Sequence, residues 1–206
     1  MGKTYNQFCP IANALELVGE RWALLVVRDL GQEPLRYTDL LDRLGGCSTN
    51  ILAQRLRDLE ANGLVARRLI PPPTPATLYE LTPAGEGLGP VLRELALWGA
   101  RTLGPPGPGA VLPAGWLARA VTVAAAPVAP TGCYCIVSGD ERVVLRDGTL
   151  ASDDEVGPDV TLEGAPSAVH GLLVEGRLDG LAIAGSQAAA HRLAASLAQS
   201  AAASRR

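Results

Sequence analysis

"CSTNILAQRLRDLEANGLVARRL", residues 47–69, decides how this chain is read. At the helical increment of roughly 100° per residue, Leu52, Leu56 and Leu59 cluster in one narrow arc. Asn50, Gln54 and Arg57 fall on the opposite arc, with Thr49 and Arg55 on its shoulders. Ser48 is placed to cap the helix and Asn62-Gly63 to stop it. Amide and guanidinium groups can bond base edges two atoms at a time, Asn or Gln to adenine and Arg to guanine. The free N–H groups of the first turn favour a phosphate oxygen. A polar arc on an amphipathic helix can also be no more than a solvated face, so its neighbours must decide.

They favour a nucleic-acid contact. Upstream, "PIANALELVG" predicts a short helix opened by Pro10 and stopped by Gly19, and "ERWALLVVRDL" predicts a second, mostly buried one. "PLRYTDLLDRLGG" contains a third, ended by Gly45-Gly46. Downstream, "GLVARRLI" and "TLYELT" read as the strands of a hairpin with a proline-rich tip. "PAGEGLGPVLRELALWGARTL" reads as one helix from about Pro83, with Leu88, Val91, Leu92, Leu95 and Trp98 along one side. That order is a helix-turn-helix followed by a β-wing. Arg67 and Arg68 stand at the base of the wing, where they can touch backbone phosphates or the minor groove.

Charge points the same way. The chain is acidic overall, with a formal net charge of −3. Residues 43–68, however, carry five arginines (Arg43, Arg55, Arg57, Arg67, Arg68) against Asp58 and Glu60. The positive charge is local, as a groove-directed contact needs.

Three blocks resemble the HxlR family of winged-helix transcription regulators: "CPIANALELVGERWALLVVRDL", "PLRYTDLLDRLGGCSTNILAQRLRDLEANGLVARR" and "YELTPAGEGLGPVLRELALWG". The resemblance covers about residues 7–101. It implies a homodimer built on the N-terminal and long C-terminal helices, binding a two-half-site double-stranded DNA operator, for instance as a repressor. It places Ser48, Thr49, Asn50, Gln54 and Arg57 in or beside the major groove, and Arg36 and Thr38 against backbone at the motif's entrance. The wing tip, Pro71 to Ala76, carries no basic side chain.

"GPPGPGAVLPAG" (104–115) cannot sustain a helix or a ladder and reads as a linker. The expected organisation is α+β: a winged helix-turn-helix domain over 1–103, the linker 104–115, and a second domain over 116–206. In the second, "GCYCIVSGDERVVLRDGTLASDDEVGPDVTL" alternates short β-rich runs with turns. "APSAVHGLLVEGRL" predicts a helix, "LAIAG" a strand and "SQAAAHRLAASLAQ" a closing helix. An antiparallel sheet with packed helices is expected. The run from Pro158 to Leu197 resembles the back half of sterol-carrier-protein-like domains. That resemblance implies an apolar cavity for a small hydrophobic effector, lined by Tyr134, Val137, Val144, Leu172, Leu173 and Ile183.

Other chemistry finds little support. Four cysteines (Cys9, Cys47, Cys133, Cys135) are too few and scattered for a disulfide scaffold. Cys133-x-Cys135 lacks the second two-ligand cluster of a zinc site. Two distant histidines offer no triad, and no nucleotide-binding loop is present. No enzyme, metal or cofactor is therefore expected. No apolar run approaches the ~20 residues that cross a bilayer, and no secretory signal opens the chain, so no membrane partner and a cytoplasmic location are expected. Cys9, before Pro10 at a helix start, is placed where the helix dipole can favour a thiolate. This leaves an alternative regulation by oxidants or electrophiles. A further alternative is a lipid-carrying or protein-interaction module without DNA binding.

Overall fold

The computed structural model describes residues 4–73, 75–100, 102–107, 110–152 and 157–204. Thr74 of the expected wing tip and Pro108-Gly109 of the expected linker lie outside the described residues. The chain forms two compact units, Met1–Leu95 and Ala96–Arg206.

In the first unit, Pro10 sits in the opening turn of α1 (Pro10–Val18), where a missing N–H costs nothing. Gly19 closes that helix by donating its N–H to the Leu15 carbonyl at 2.8 Å. Helix α2 (Ala23–Leu30) begins at Ala23 rather than Glu20, because Trp22 is left-handed at φ 79° and cannot be helical. A two-residue strand not foreseen in the sequence, β1 (Leu35–Arg36), leads into α3 (Tyr37–Arg43). Gly46, at φ +84°, turns the chain in a conformation that disfavours a side chain. Helix α4 (Thr49–Ala61) follows, capped as expected: Ser48 Oγ accepts the Ile51 N–H at 3.4 Å.

Strands β2 (Val65–Ile70) and β3 (Ala76–Leu81) form the antiparallel hairpin. With β1 they make a three-stranded sheet in the order β1-β3-β2. The single helix expected from Pro83 is two, α5 (Pro83–Glu86) and α6 (Gly89–Ala100). Pro90 has no N–H to give the Glu86 carbonyl, and Gly87 and Gly89 are poor helix formers, so the ladder breaks there. The core of this unit joins Val26, Val27, Leu30, Leu40, Leu52, Leu56, Leu59 and Val65. Each leucine so buried contributes about 1.5–3 kcal/mol.

The second unit opens with a helix the sequence reading missed, α7 (Trp116–Ala124). Its cap comes from far along the chain: the Glu141 carboxylate accepts the N–H groups of Gly115 at 2.7 Å and Leu117 at 2.9 Å. Then come β4 (Cys133–Ser138), β5 (Glu141–Arg146), β6 (Thr149–Ala151), β7 (Val160–Gly164), α8 (Pro166–Glu175), β8 (Leu181–Gly185) and α9 (Gln187–Ser204). The sheet runs β6-β5-β4-β7-β8. It is mixed, not antiparallel as expected, because β7 pairs parallel with β4. The β4–β5 hairpin takes one edge of β4 and β6 takes the far edge of β5. A later strand can join β4 only at its free edge, and β7 arrives there in β4's own direction.

The helices pack on one face of this sheet. Leu117, Val121, Leu172, Leu193 and Leu197 meet Tyr134, Ile136, Leu145 and Leu162 in a single apolar cluster. The opposite face carries a small separate cluster of Cys133, Cys135 and Val144, with Val137 and Ala151 against it.

Candidate nucleic-acid interface

Helix α4 is held from below and at both ends. Leu52, Leu56 and Leu59 are buried in the core. The Tyr37 hydroxyl donates to the Thr49 carbonyl at 2.6 Å, tying the start of α4 to α3. Asn62 Nδ2 donates to the Leu17 carbonyl at 3.2 Å, tying its end to α1. At the passage into the wing, Thr82 Oγ1 donates to the Gly63 carbonyl at 2.6 Å and the Thr82 N–H to the Leu64 carbonyl at 3.0 Å. Gly85 lies so close beneath that a Cβ there would sit 2.1 Å from the Leu64 carbonyl oxygen.

The opposite arc faces out. Ser48, Thr49, Asn50, Gln54 and Arg57 are all exposed, as are Arg36 and Thr38 at the start of α3. Gln54 and Arg57 are coupled: Arg57 Nη2 donates to Gln54 Oε1 at 2.7 Å, and Gln54 Nε2 donates to Asp58 Oδ1 at 2.7 Å. Arg55, expected on the shoulder of this arc, is turned back onto the protein. Its side chain is only 15% exposed, with Nη2 3.1 Å from Asp58 Oδ2 and Nη1 3.6 Å from Glu20 Oε2.

The wing arginines are engaged as well. Arg67 meets Glu60 in a two-point pair, Nε to Oε1 at 2.5 Å and Nη2 to Oε2 at 2.7 Å. Its guanidinium also lies 5.6 Å from the centroid of the Tyr79 ring. The Glu60 hydrogen bond pushes the Arg67 pKa up, so the cation is held more firmly still. Arg68 Nε donates to Glu80 Oε2 at 2.7 Å, and Arg43 pairs with Glu33. The local positive charge seen in the sequence is thus largely matched by carboxylates in the fold. The sequence reading counted Asp58 and Glu60 as charges but did not assign them as partners of Gln54, Arg55 and Arg67. The i,i+4 spacing of Gln54 and Asp58 was the available signal.

Cys9 is half-buried at the N-cap of α1, whereas Cys47, Cys133 and Cys135 are buried. Burial pushes the Cys47 thiol pKa up. Tyr5, Phe8, Ile11 and Leu15 around α1, and Val91, Leu95 and Trp98 along α6, are exposed apolar side chains. The six residues expected to line an effector cavity do not share one space. Tyr134, Leu172 and Leu173 are buried in the helix-side cluster with Ile183 packed against it. Val137 and Val144 belong to the opposite face, because side chains alternate along a strand. A shallow cavity of about 220 Å³ is lined by Ala118, Arg142, Val143, Val144, Leu150 and Ala151, so only Val144 of the six reaches it. Among the described residues no three metal-ligating side chains cluster, and no helix is long and apolar enough to cross a membrane.

Comparison with known proteins places the first half of the chain. The HxlR-like helix-turn-helix family model matches residues 17–106. A Synechocystis HTH-type transcriptional regulator, sll1512, is 42% identical over 87 residues, spanning 42% of this chain and 64% of the relative. The regulator BH0655 of Halalkalibacterium halodurans is 34% identical over 102 residues, 48% of this chain and 90% of its own. The Bacillus subtilis regulator YodB is 33% identical over 94 residues, 45% of this chain and 84% of its own. The solved reduced form of YodB superposes with a TM-score of 0.43 at 30% identity, covering 49% of this chain and all of that one.

Proposed function

The chain belongs to the HxlR family of helix-turn-helix proteins, and on that premise we propose that it is a homodimeric transcription regulator that reads duplex DNA with α4. One arrangement carries this reading: Leu52, Leu56 and Leu59 anchor the helix, while Asn50, Gln54 and Arg57 stand exposed on its far side. In the major groove those three would reach base edges. Ser48 and Thr49 would sit where the free N–H groups of the helix start meet a phosphate. Arg36 and Thr38 would meet backbone at the entrance, and Arg67 and Arg68 would do so from the wing. Arg55 serves as a strut between α4, Glu20 and Asp58. The exposed apolar side chains of α1 and α6 supply the face on which a second copy packs, since a monomer gains nothing by leaving them wet.

Relatives of this chain are regulators rather than enzymes, which accords with the absence of a catalytic role in this reading. The second unit is proposed as a sterol-carrier-like regulatory domain for a small hydrophobic effector, supported by its layer of helices over one apolar face of the sheet. Effector binding would act by favouring a dimer whose recognition helices no longer match the half-site spacing.

Fluorescence anisotropy against the DNA upstream of the chain's own gene tests the reading. Specific, salt-dependent binding is expected, and Arg57→Ala should weaken it by about 1–3 kcal/mol. Salt-independent or absent binding overturns it in favour of a lipid-carrying or protein-interaction module. Native mass spectrometry of freshly purified protein reports the dimer and any co-purified effector together.

A second reading assigns regulation to Cys9, which is better exposed than the three buried cysteines. Under it, Cys9→Ser abolishes oxidant-triggered release from DNA. Release that survives the substitution excludes it.

A further inference from the structure

Asp58 makes no outward-facing contact of its own kind with a base in the reading above, yet it sits at the centre of the α4 polar network. Its Oδ1 accepts from Gln54 Nε2 at 2.7 Å, and its Oδ2 lies 3.1 Å from Arg55 Nη2. Gln54 in turn accepts from Arg57 Nη2 at 2.7 Å. The geometry points to Asp58 as the positioning residue that sets which bases Gln54 and Arg57 select. This inference rests on the DNA reading proposed above.

A glutamine amide is nearly symmetric in shape, and a solvated one turns over freely. Here its two ends face groups that differ absolutely: an ionised carboxylate only accepts, and a guanidinium only donates. Turning the amide over would set oxygen against carboxylate and NH2 against guanidinium, losing two charge-assisted hydrogen bonds at once. One polarity is therefore held. In that polarity Gln54 keeps one N–H and one lone pair free, the combination that an adenine edge requires in the major groove. Arg57, tethered by one nitrogen, keeps its remaining donors for a neighbouring acceptor such as guanine O6 or N7. The second carboxylate oxygen is steadied by Arg55, which is itself held by Glu20. Asp58 thus passes the rigidity of the protein side of α4 to its reading side, and without it both side chains are free to re-pair with several bases.

The test is selection of binding sites from a pool of duplexes with a randomised centre, using the full-length chain and its Asp58→Ala, Asp58→Asn and Arg57→Ala variants. Each is then titrated on the wild-type consensus and on single-base-pair changes of it. Asp58→Ala should lose about tenfold discrimination at the one or two base pairs that Arg57→Ala also affects, while binding to unrelated duplex is retained. Asp58→Asn offers a single acceptor oxygen to two donors, Gln54 Nε2 and Arg55 Nη2, and should recover at most part of the lost discrimination. Unchanged discrimination in Asp58→Ala overturns the inference, as does an equal loss at every position, which is the signature of a weakened helix. If the wild-type chain selects no consensus, or Arg57→Ala leaves the consensus untouched, the DNA reading itself fails.

Discussion

Glu60 is an internal competitor for Arg67, and replacing it with glutamine should make DNA binding more sensitive to salt. The pair is two-point, at 2.5 and 2.7 Å, but Arg67 is half exposed, so water screens it and its net contribution to folding is about 1 kcal/mol or less. Glutamine keeps the shape and removes the charge. If Arg67 then turns to a phosphate, each copy gains one backbone contact and a dimer gains two. Each neutralised phosphate steepens the dependence of log K on log salt by about 0.9, so between 50 and 200 mM salt the variant should lose about 12-fold more affinity than the wild type. At the low-salt end Glu60→Gln should bind more tightly. Anisotropy titrations of both proteins on one duplex across that range read the two slopes directly. Parallel lines would show that Glu60 does not hold Arg67 off the backbone. A shallower slope with weaker binding would show that the pair instead braces the wing against α4, and the competition argument would be wrong.

Four further outcomes are expected. Trp98, 68% exposed on α6, should be needed for pairing, so Trp98→Glu should sediment as a monomer and lose at least tenfold in operator affinity. A Trp98→Glu variant that stays dimeric removes α6 from the interface. Gly85→Ala would force a Cβ to 2.1 Å from the Leu64 carbonyl oxygen. Backbone must move, at a cost of about 1–3 kcal/mol, seen as a lower urea midpoint. With a disulfide-exchange reagent at neutral pH, Cys9 should react fastest in the native chain, and Cys47, Cys133 and Cys135 only on unfolding. Burial raises the Cys47 pKa, so the folded state holds that proton more tightly than the unfolded one. Its contribution to stability is present below the ordinary thiol pKa and is lost as pH rises through the raised value, and Cys47→Ala should flatten that alkaline decline.

How much of this was legible in the sequence differs by element. The division of α4 into Leu52, Leu56 and Leu59 beneath and Asn50, Gln54 and Arg57 above follows from helical spacing alone, and so do its Ser48 cap and its stop at Asn62-Gly63. These depend on residues within a turn or two of each other, and local geometry has one solution there. The split of the helix after the wing into α5 and α6 was also present locally, in Gly87, Gly89 and Pro90, but the apolar stripe across it masked the break.

Other features depended on residues brought together from far apart. The cap of α7 is Glu141, a residue on a strand that the helix meets only after the sheet has formed. Val137 parts from Tyr134 by simple alternation along β4, but Val144 is assigned to Val137's face only when strand register sets it opposite Cys135, and the parallel joining of β7 to β4 followed from which edges were already occupied. Above all, five arginines counted along residues 43–68 said where positive charge is concentrated. The fold decided how much of it remains to meet a phosphate, by setting Glu20, Glu60 and Glu80 against Arg55, Arg67 and Arg68. A charge is a property of a residue, but its partner is a property of the space around it, and only the folded chain defines that space.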